Sequence, residues 1–435
     1  MLLRLYALLS VALSPVILAW VYLNPKLSPD VRSRLAADLG GRTMPDGQPR
    51  IWIHAVSVGE ALAAAPVVVE LRKRYPDALI LFTVTTATGY ETALRTLGAA
   101  SPEVRFFPLD FPWVIARVIR FYRPHVFVCT EADVWPNLLM DLNRRRVPTL
   151  VFNARLVERA SGRKRNRSAF RVTRRFVSES YRLFDAILAQ SERDKERFVR
   201  MGIDANRVEV VGSTKFDMAM EPMSTEKRNA FKAKWGWLDR RVIFAASTHD
   251  GEEEIILQAF LTLRKDIPDL ALVLAPRHTD RAKSVAALVG ETSLWFQRYS
   301  TFTDIQRSQS VLIIDTMGVL GAFYQIADCV VVGGTFSEKV GGHNLLEPAQ
   351  FSRPIVVGPY VHTIDAQVKR LLADGGVLQL SDASAESLAA AFHRLLSSSS
   401  DALALGVTAF EFYQANQGVT TVVADRIATL LKEKR

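Results

Sequence analysis

The chain has 435 residues and contains little cysteine and little histidine. Its two cysteines, Cys129 and Cys329, both lie inside apolar runs, which argues against a disulfide framework and fits a reducing compartment. The seven histidines lie far apart without paired ligand spacing, so we expect no transition-metal site built by the protein. The sequence also lacks a G-x-x-x-x-G-K-[ST] loop, which disfavours a P-loop NTPase. It has no solenoid repeat and no low-complexity tract.

The composition is that of a folded globular protein, with 49% hydrophobic and 23% charged residues. Its length exceeds that of one ordinary core, so two domains are predicted. The net charge of +10 indicates anionic partners, which include nucleic acid, phosphorylated substrates and membranes.

The first long apolar segment, residues 5–23, contains no charged residue. A helix of this length rises ~1.5 Å per residue and is able to cross a hydrocarbon core of ~30 Å. We therefore predict a single N-terminal membrane anchor, with a cleaved signal peptide as the alternative. Basic residues flank the segment on both sides, so charge counting does not fix its orientation.

From residue 51 onwards, short apolar runs alternate with amphipathic stretches, in one series up to about residue 216 and a second from residue 242. Residues 217–225, which include Pro222, form a predicted linker. This alternation is typical of βαβ units on parallel sheets. The predicted fold class is α/β, with two Rossmann-like, doubly wound domains that face a cleft. Ligands of such sheets bind beyond the carboxyl ends of the strands.

The most informative motif is the run from Gly333 to Ala349, which follows the apolar segment Cys329–Val332. A strand, a glycine-rich turn and a helix start would present backbone N–H groups and a helix dipole to an anion. Glu347 is placed to accept hydrogen bonds from sugar hydroxyls. We interpret the run as a nucleotide site, although glycine alone would equally suit a tight strand-to-helix connection.

Other strand ends in the second half are also polar. After the strand at 242–245 come Ser247, Thr248 and three glutamates at 252–254, and we expect the glutamates only to favour a helix dipole. Arg277 is a candidate phosphate partner through its planar guanidinium. Residues 315–320 end another strand, where backbone groups are able to contact the edge of a base.

In the first half, Glu60 and Glu131 each follow a predicted strand. A carboxylate in such a position suits a general base for a hydroxyl nucleophile. For Glu60 the alternative is a charge that only favours the helix start, and for Glu131 it is an acidic N-capping turn. Lys215, after a further strand, is able to meet negative charge on a leaving phosphate.

Residues 155–182 hold ten Arg or Lys and two Glu. Such a run is usually a solvated face, but beside a membrane anchor it also suits anionic lipid. Nucleic acid is a third option, which no recognisable reading module supports.

Nine motifs occur in one order along nearly the whole chain: H-A-V-S-V-G-E, T-E-x-x-x-W-P-N, N-A-R-L, L-A-Q-S-E, K-F-D, S-T-H-x-G-E-E, P-R-H, D-T-M-G and G-G-H-N-x-L-E-P-A. With them the chain resembles the bacterial transferases of 3-deoxy-D-manno-octulosonic acid (Kdo) in lipopolysaccharide synthesis. The resemblance implies a GT-B fold and inverting transfer of Kdo from CMP-Kdo to the 6′-hydroxyl of a lipid A precursor. It places the enzyme at the cytoplasmic face of the inner membrane, with no nucleic acid partner, no cofactor and no metal ligands.

The resemblance also implies a domain plan: an anchor over 1–30, an acceptor-binding domain over 31–220, a CMP-sugar donor-binding domain over 221–410, and a C-terminal helix over 411–435 that crosses back to the first domain. Glu60 corresponds to the proton acceptor, and Glu131 and Lys215 assist the transition state. CMP would be held by Pro276, Arg277, Met317, Gly318, Val319, Asn344, Leu345, Leu346 and Glu347.

The sequence departs from the family pattern at three positions. Val319 and Asp133 stand where the family usually has Glu, and Leu345 stands where it usually has Pro.

Two other kinds of protein fit the pattern of domains, namely a sugar-nucleotide epimerase that needs no lipid surface and a membrane-bound nucleotide sensor without catalysis.

Overall fold

The computed structural model describes residues 1–23, 47–100, 102–131, 134–156, 167–218, 220–302 and 310–433. The chain divides into two compact units. Unit 1 comprises Met1–Met218 together with Asn416–Arg435, and unit 2 comprises Ala219–Ala415. The division falls inside the stretch 217–225, and the C-terminal segment belongs with unit 1.

Each unit contains a sheet of seven strands, all of them parallel. The order is β3-β2-β1-β4-β5-β6-β7 in unit 1 and β10-β11-β9-β8-β12-β13-β14 in unit 2. In both units the first strand lies inside the sheet and the chain winds out to both edges, which makes each sheet doubly wound. The strands are β1 (Arg50–Ala55), β2 (Leu79–Val84), β3 (Glu103–Phe106), β4 (Val126–Thr130), β5 (Thr149–Ala154), β6 (Ala186–Ala189), β7 (Val208–Val210), β8 (Val242–Thr248), β9 (Ala271–Pro276), β10 (Phe296–Arg298), β11 (Val311–Ile313), β12 (Cys329–Val332), β13 (Ile355–Val357) and β14 (Leu378–Gln379).

Helices connect the strands, as parallel pairing requires. Their starts follow ordinary capping rules: Ser57 caps one helix through its hydroxyl, and Pro112 and Pro136 open two others at the first turn. The helices are α1 (Leu2–Leu23), α2 (Val58–Arg74), α3 (Ala87–Leu97), α4 (Pro112–Tyr122), α5 (Pro136–Arg144), α6 (Arg167–Tyr181), α7 (Glu192–Arg200), α8 (Thr225–Lys234), α9 (Glu252–Leu263), α10 (Ala282–Gly290), α11 (Leu320–Ile326), α12 (Leu346–Gln350), α13 (Asp365–Asp374), α14 (Ala385–Ser397), α15 (Ser399–Ala415) and α16 (Val419–Glu433).

The inner strands are apolar because both faces of each sheet are covered. In β1, Ile51 and Ile53 enter one apolar cluster, whereas Trp52 between them enters another. The alternation of side chains along the strand therefore supplies two cores, one on each face.

The C-terminal helix α16 packs into the first of these cores. Val423 and Ile427 are buried in the same cluster as residues of α2. The carboxylate of Asp217 accepts hydrogen bonds from the backbone N–H groups of Gly418 and Thr420, at 2.7 and 2.5 Å. An acid that accepts bonds from a helix start also meets the positive end of its dipole, so this contact fixes α16 on unit 1.

The N-terminal helix α1 contacts α4, α5 and α6 of unit 1 through a polar stripe. The hydroxyl of Tyr6 donates to Asp110 Oδ2 at 3.2 Å, and Asn137 Nδ2 donates to Ser10 Oγ at 3.1 Å. Ser14, one turn further, is buried. These three positions are spaced by four and lie on one face of the helix.

Other side chains of α1 are apolar and exposed, among them Leu8, Val16 and Trp20. By length and composition, residues 2–20 are able to cross a membrane. Beside α1, helix α4 exposes Trp113 together with Arg117 and adds an aromatic and a basic side chain to this surface.

Candidate active site

Glu60 lies in the first turn of α2, directly after β1. Its carboxylate is half-buried and accepts hydrogen bonds from Val56 N at 2.6 Å, Thr130 Oγ1 at 3.1 Å and Ser57 Oγ at 3.4 Å. Ser57 in turn accepts from the backbone N–H of Glu60, so serine and glutamate cap the helix reciprocally. The capping role and the base role predicted for Glu60 are therefore compatible, because the bonds fix the carboxylate at the strand end.

Glu131 follows β4 directly and forms an ion pair with Lys215, whose Nζ lies 2.6 Å from Glu131 Oε1. The two side chains are 28% and 39% exposed. An ion pair at this exposure contributes only about 0–1 kcal/mol to stability. Glu131 also has a left-handed backbone, with φ +58°, which costs about 1 kcal/mol or more in a residue with a Cβ. Stability does not explain this arrangement, which places a charge pair at a strand end.

Lys215 stands in a 3-10 turn, Thr214–Asp217, whose start is capped by Ser213. The side-chain amide of Asn153, at the end of β5, makes two hydrogen bonds to Thr214, at 2.8 and 2.9 Å. Asn153 also has a positive φ, +52°. Two neighbouring strand ends with left-handed residues thus position the lysine and its partner acid.

The structure brings the three predicted catalytic residues to one edge of the unit 1 sheet. Thr130 links them, because its hydroxyl donates to Glu60 and the next residue is Glu131. The arrangement therefore combines a carboxyl group that hydrogen bonds orient with the ion pair of Glu131 and Lys215. Asp133 lies outside the described residues, as do residues 157–166 of the basic run.

In unit 2 the glycine-rich segment follows β12. A Cβ at Gly333 would lie 2.3 Å from the carbonyl oxygen of Ser247, so no other residue fits there. Gly334 N and Phe336 N donate to the carboxylate of Glu252 at 2.8 and 2.9 Å, and Gly342 N donates to Gly334 O at 2.8 Å. The expectation that this run presents free backbone N–H groups to an anion is therefore wrong for these three, because they donate to groups within the protein.

The expectation that the glutamates at 252–254 serve only the helix dipole is also wrong for Glu252 and Glu253. Glu252 is 1% exposed and accepts a third backbone bond from His249 at 2.8 Å. Burial raises the pKa of Glu252, whereas the three N–H groups lower it. Glu253, equally buried, accepts from Thr248 at 2.8 Å and pairs with Arg281 at 2.7 Å. The sequence offers one pattern that could have predicted these bonds: an acid at a helix start often accepts a hydrogen bond from the turn before it.

The residues assigned to CMP lie at or just after three strands of this sheet. Pro276 is buried at the end of β9, and Arg277 is exposed beside it. Met317 is 72% exposed, Gly318 has φ +84°, and Val319 stands directly before α11. Since β11 pairs with β9, these two groups occupy neighbouring strand ends.

The remaining predicted CMP residues surround the start of α12. Leu345 and Leu346 are buried, so their side chains do not reach the surface. Glu347 is hydrogen-bonded by Tyr324 and Asn344, and the charge of Arg277 acts on it as well. Burial raises the pKa of the Glu347 carboxyl against these effects. An oriented carboxylate beside an arginine suits ribose hydroxyls and a phosphate.

Three of the histidines meet at this strand edge, although they are distant in the sequence. His249 Nε2 lies 2.7 Å from His343 Nε2, and the two rings stack at 5.0 Å. The ring of His278 lies 6.1 Å from that of His249. In the part of the chain that the structure describes, no group of three or more His, Cys, Asp or Glu side chains is arranged to hold a metal ion.

The comparisons with known proteins agree on the family. A family model described as 3-deoxy-D-manno-octulosonic-acid transferase (kdotransferase) matches residues 31–218. The chain is 32% identical to the 3-deoxy-D-manno-octulosonic acid transferase of Haemophilus influenzae over 98% of both chains. This chain belongs to the Kdo transferase family. It is thus a glycosyltransferase of lipopolysaccharide biosynthesis, as the resemblance implied.

Solved structures confirm the two-domain fold. The UDP-GlcNAc 2-epimerase of Neisseria meningitidis, crystallised with UDP-GlcNAc, superposes with a TM-score of 0.62 at 15% identity, over 87% of this chain and all of that one. A glycosyltransferase of Rickettsia africae gives a TM-score of 0.60 at 13% identity, over 89% and 99%. At these identities the likeness concerns the fold alone, which is the predicted GT-B type.

Proposed function

We propose that this Kdo transferase moves Kdo from CMP-Kdo to the 6′-hydroxyl of a lipid A precursor, with inversion at the anomeric carbon. The observation that carries the proposal is the carboxylate of Glu60, which three donors hold at a strand end of unit 1. A carboxylate fixed in this way is oriented to accept a proton without reorganising.

The reaction is a single displacement. The acceptor oxygen attacks the anomeric carbon of Kdo while Glu60 takes the proton of its hydroxyl. The bond between the anomeric carbon and the phosphate oxygen breaks, and its electron pair leaves with CMP. Lys215, held by Glu131, supplies positive charge against the negative charge that develops.

Unit 2 is the proposed donor-binding domain. Arg277 binds the phosphate, Glu347 accepts from the ribose hydroxyls, and Met317, Gly318 and Val319 contact the base. Pro276, Asn344, Leu345 and Leu346 complete the CMP site, the two leucines through their backbone because their side chains are buried. No step requires a metal ligand from the protein.

Unit 1 is the proposed acceptor-binding domain, at the cytoplasmic face of the inner membrane. The exposed apolar side chains of α1 and the neighbouring Trp113 support this placement, because they fit the interior and the boundary of a bilayer. Arg117 on α4, and Arg174 and Arg175 on α6, are exposed and add positive charge that attracts anionic lipid.

The test replaces Glu60 with glutamine and measures Kdo transfer to a lipid A precursor by mass spectrometry of the products. We expect the rate to fall by ~10²–10⁴, because glutamine keeps the shape but accepts no proton. Binding of CMP should be unchanged. Glu70→Gln, on the same helix and in an ion pair with Arg74, is the matched control and should transfer normally. Near-normal turnover of Glu60→Gln would refute the assignment.

A further inference from the structure

The histidine cluster, which comprises His249, His278 and His343, is assembled from three separate segments. His249 follows β8, His278 follows β9, and His343 lies in the loop between β12 and α12. The Nε2 atoms of His249 and His343 are 2.7 Å apart and their rings are 13° from parallel. A distance of this kind is that of a hydrogen bond, so one ring donates and the other accepts.

This geometry limits how many protons the pair is able to hold. The hydrogen bond uses one proton between the two Nε2 atoms. One further proton enters at the other nitrogen of the donating ring and strengthens the bond, since the donor is then charged. A second further proton would have to enter between the two Nε2 atoms, where no room exists. The pair therefore switches between neutral and singly charged.

The charges around the pair set its resting state. The guanidinium groups of Arg277 and Arg281 bring positive charge to it, and the carboxylate of Glu253 opposes them. Burial, aided by these cations, lowers the pKa of His343 to about 4 and also lowers that of His249. The buried Glu252 uses its carboxylate on backbone N–H groups of His249, Gly334 and Phe336. Without a ligand, the pair is thus neutral at pH 7.

One cation beside the pair makes no ion pair among the described residues, although its charge acts on the nearby carboxyl of Glu347. Arg281 is paired with Glu253 and Asp250. The guanidinium of Arg277, in contrast, makes no ion pair with any residue that the structure describes, and it is exposed. An arginine without an ion pair, next to two imidazoles that are able to take up one further proton, suits the binding of a group with negative charge.

We propose that the histidine cluster binds an anionic group of the sugar nucleotide and takes up one proton from solvent when it does. The inference rests on the proposed function, since the anion is either the phosphate or the sugar carboxylate of CMP-Kdo. The proton enters at the second nitrogen of the ring that donates in the His249–His343 hydrogen bond. It returns to solvent when the anion leaves. No covalent bond changes.

The experiment is calorimetry of the full-length enzyme at pH 7 in buffers of different ionisation enthalpy, with CMP, cytidine and free Kdo as separate ligands. We expect proton uptake, up to one per site, with CMP or with free Kdo, and none with cytidine. Uptake with CMP identifies the phosphate, and uptake only with Kdo identifies the carboxylate. The phosphate of CMP has its own pKa near 6, so the readout is the difference between wild type and variant.

The variants are His249→Gln and His343→Gln, which remove the titrating ring, with His393→Gln on the exposed side of α14 as control. Each of the first two variants should abolish the extra proton uptake and lower the affinity for the anion by roughly tenfold. The affinity for cytidine should be unchanged. If a variant does not fold, ¹⁵N shifts of the wild-type imidazoles with and without ligand report the same protonation.

Two results separate this inference from the proposed function. An enzyme that transfers Kdo, but whose ligands bind with equal proton exchange in wild type and both variants, overturns the histidine proposal alone. An enzyme that binds CMP with the expected uptake, yet transfers no Kdo to a lipid A precursor, overturns the proposed function alone. If no ligand binds, both are wrong.

Discussion

The two units share one architecture, yet their strand ends use acidic residues in opposite ways. In unit 1, Glu60 and Glu131 lie half-buried or partly exposed at the carboxyl edge, next to Lys215. In unit 2, Glu252 is 1% exposed and holds the backbone of the glycine-rich loop. Arg277 and His278 are exposed there. The sheet of unit 1 thus has acids and a lysine at its carboxyl edge, whereas in unit 2 the buried acid shapes the glycine-rich loop.

After Glu60, the largest effect is expected for Lys215, to which we assign the positive charge of the proposed reaction. Lys215→Met removes the positive charge but keeps most of the length of the side chain. We expect the rate of Kdo transfer to fall by ~10²–10³, the loss typical of one electrostatic stabiliser. The free energy of unfolding should change by less than about 1 kcal/mol, because the ion pair with Glu131 is exposed.

Lys73→Met is the control for this change. Lys73 lies on α2 in an ion pair with Glu70, and its side chain is more exposed than that of Lys215, 70% against 39%. It should leave both rate and stability intact. Rates that fall equally in the two variants would mean that general charge, and not the position of Lys215, matters.

A smaller effect, and one on stability, is expected for Glu252. Glu252→Gln places an N–H group against the backbone donors of Gly334 and Phe336, so unit 2 should lose about 2–3 kcal/mol. Glu131→Gln in unit 1 should lose less than about 1 kcal/mol but slow transfer. Hydrogen exchange of the strands in each unit measures the two losses separately.

Glu254 provides the comparison within α9, because it is exposed in the same first turn. Glu254→Gln should be within about 0.5 kcal/mol of wild type. A loss at Glu252 no larger than that would show that the carboxylate does not hold the loop.

A further difference between the units concerns pH, to which they should respond in opposite directions. Burial raises the pKa of Asp110 in unit 1 to about 7, so its contribution to stability is complete below about pH 4 and is lost as the pH rises through 7. The pKa of His343 in unit 2 is lowered to about 4, so its contribution is complete above about pH 6.5 and is lost as the pH falls towards 4.

Asp110→Asn and His343→Gln should each flatten the pH dependence of hydrogen exchange in their own unit and leave the other unit unchanged. Asp77→Asn and His393→Gln, both exposed, are the controls. Parallel trends in the two units would contradict the assignment of these groups.

The sequence predicted the inner strands of both sheets, because they are buried on two faces and read as continuous apolar runs. Of the four edge strands it missed β3, β10 and β14, and for β7 it predicted only that a strand ends before Gly212, without bounds. These strands have two to four residues and include polar ones such as Arg105, Glu209 and Gln297. An edge strand is apolar on one face at most, so no apolar run marks it.

The candidate site was likewise predictable only in part. Acids that directly follow a strand were predictable, because parallel strands bring their carboxyl ends to one edge. The bonds of Glu252 to a loop 82 and 84 residues away, and the contact of His249 with His343 across 94 residues, were not. They depend on which loops fold over one another, and no local pattern encodes this.

The polar stripe of α1 has a consequence for the loop after β4. Tyr6 and Ser10 bond to Asp110 and Asn137, and the carboxylate of Asp110 also accepts the N–H groups of Asn137 and Leu138 at the start of α5. Only a few residues separate that helix start from Glu131. A displacement of the first helix would therefore pull on these hydrogen bonds, and through them on the start of α5. In the proposed role of α1 as a membrane anchor, the bilayer is thus coupled to the segment that follows the strand end carrying Glu131.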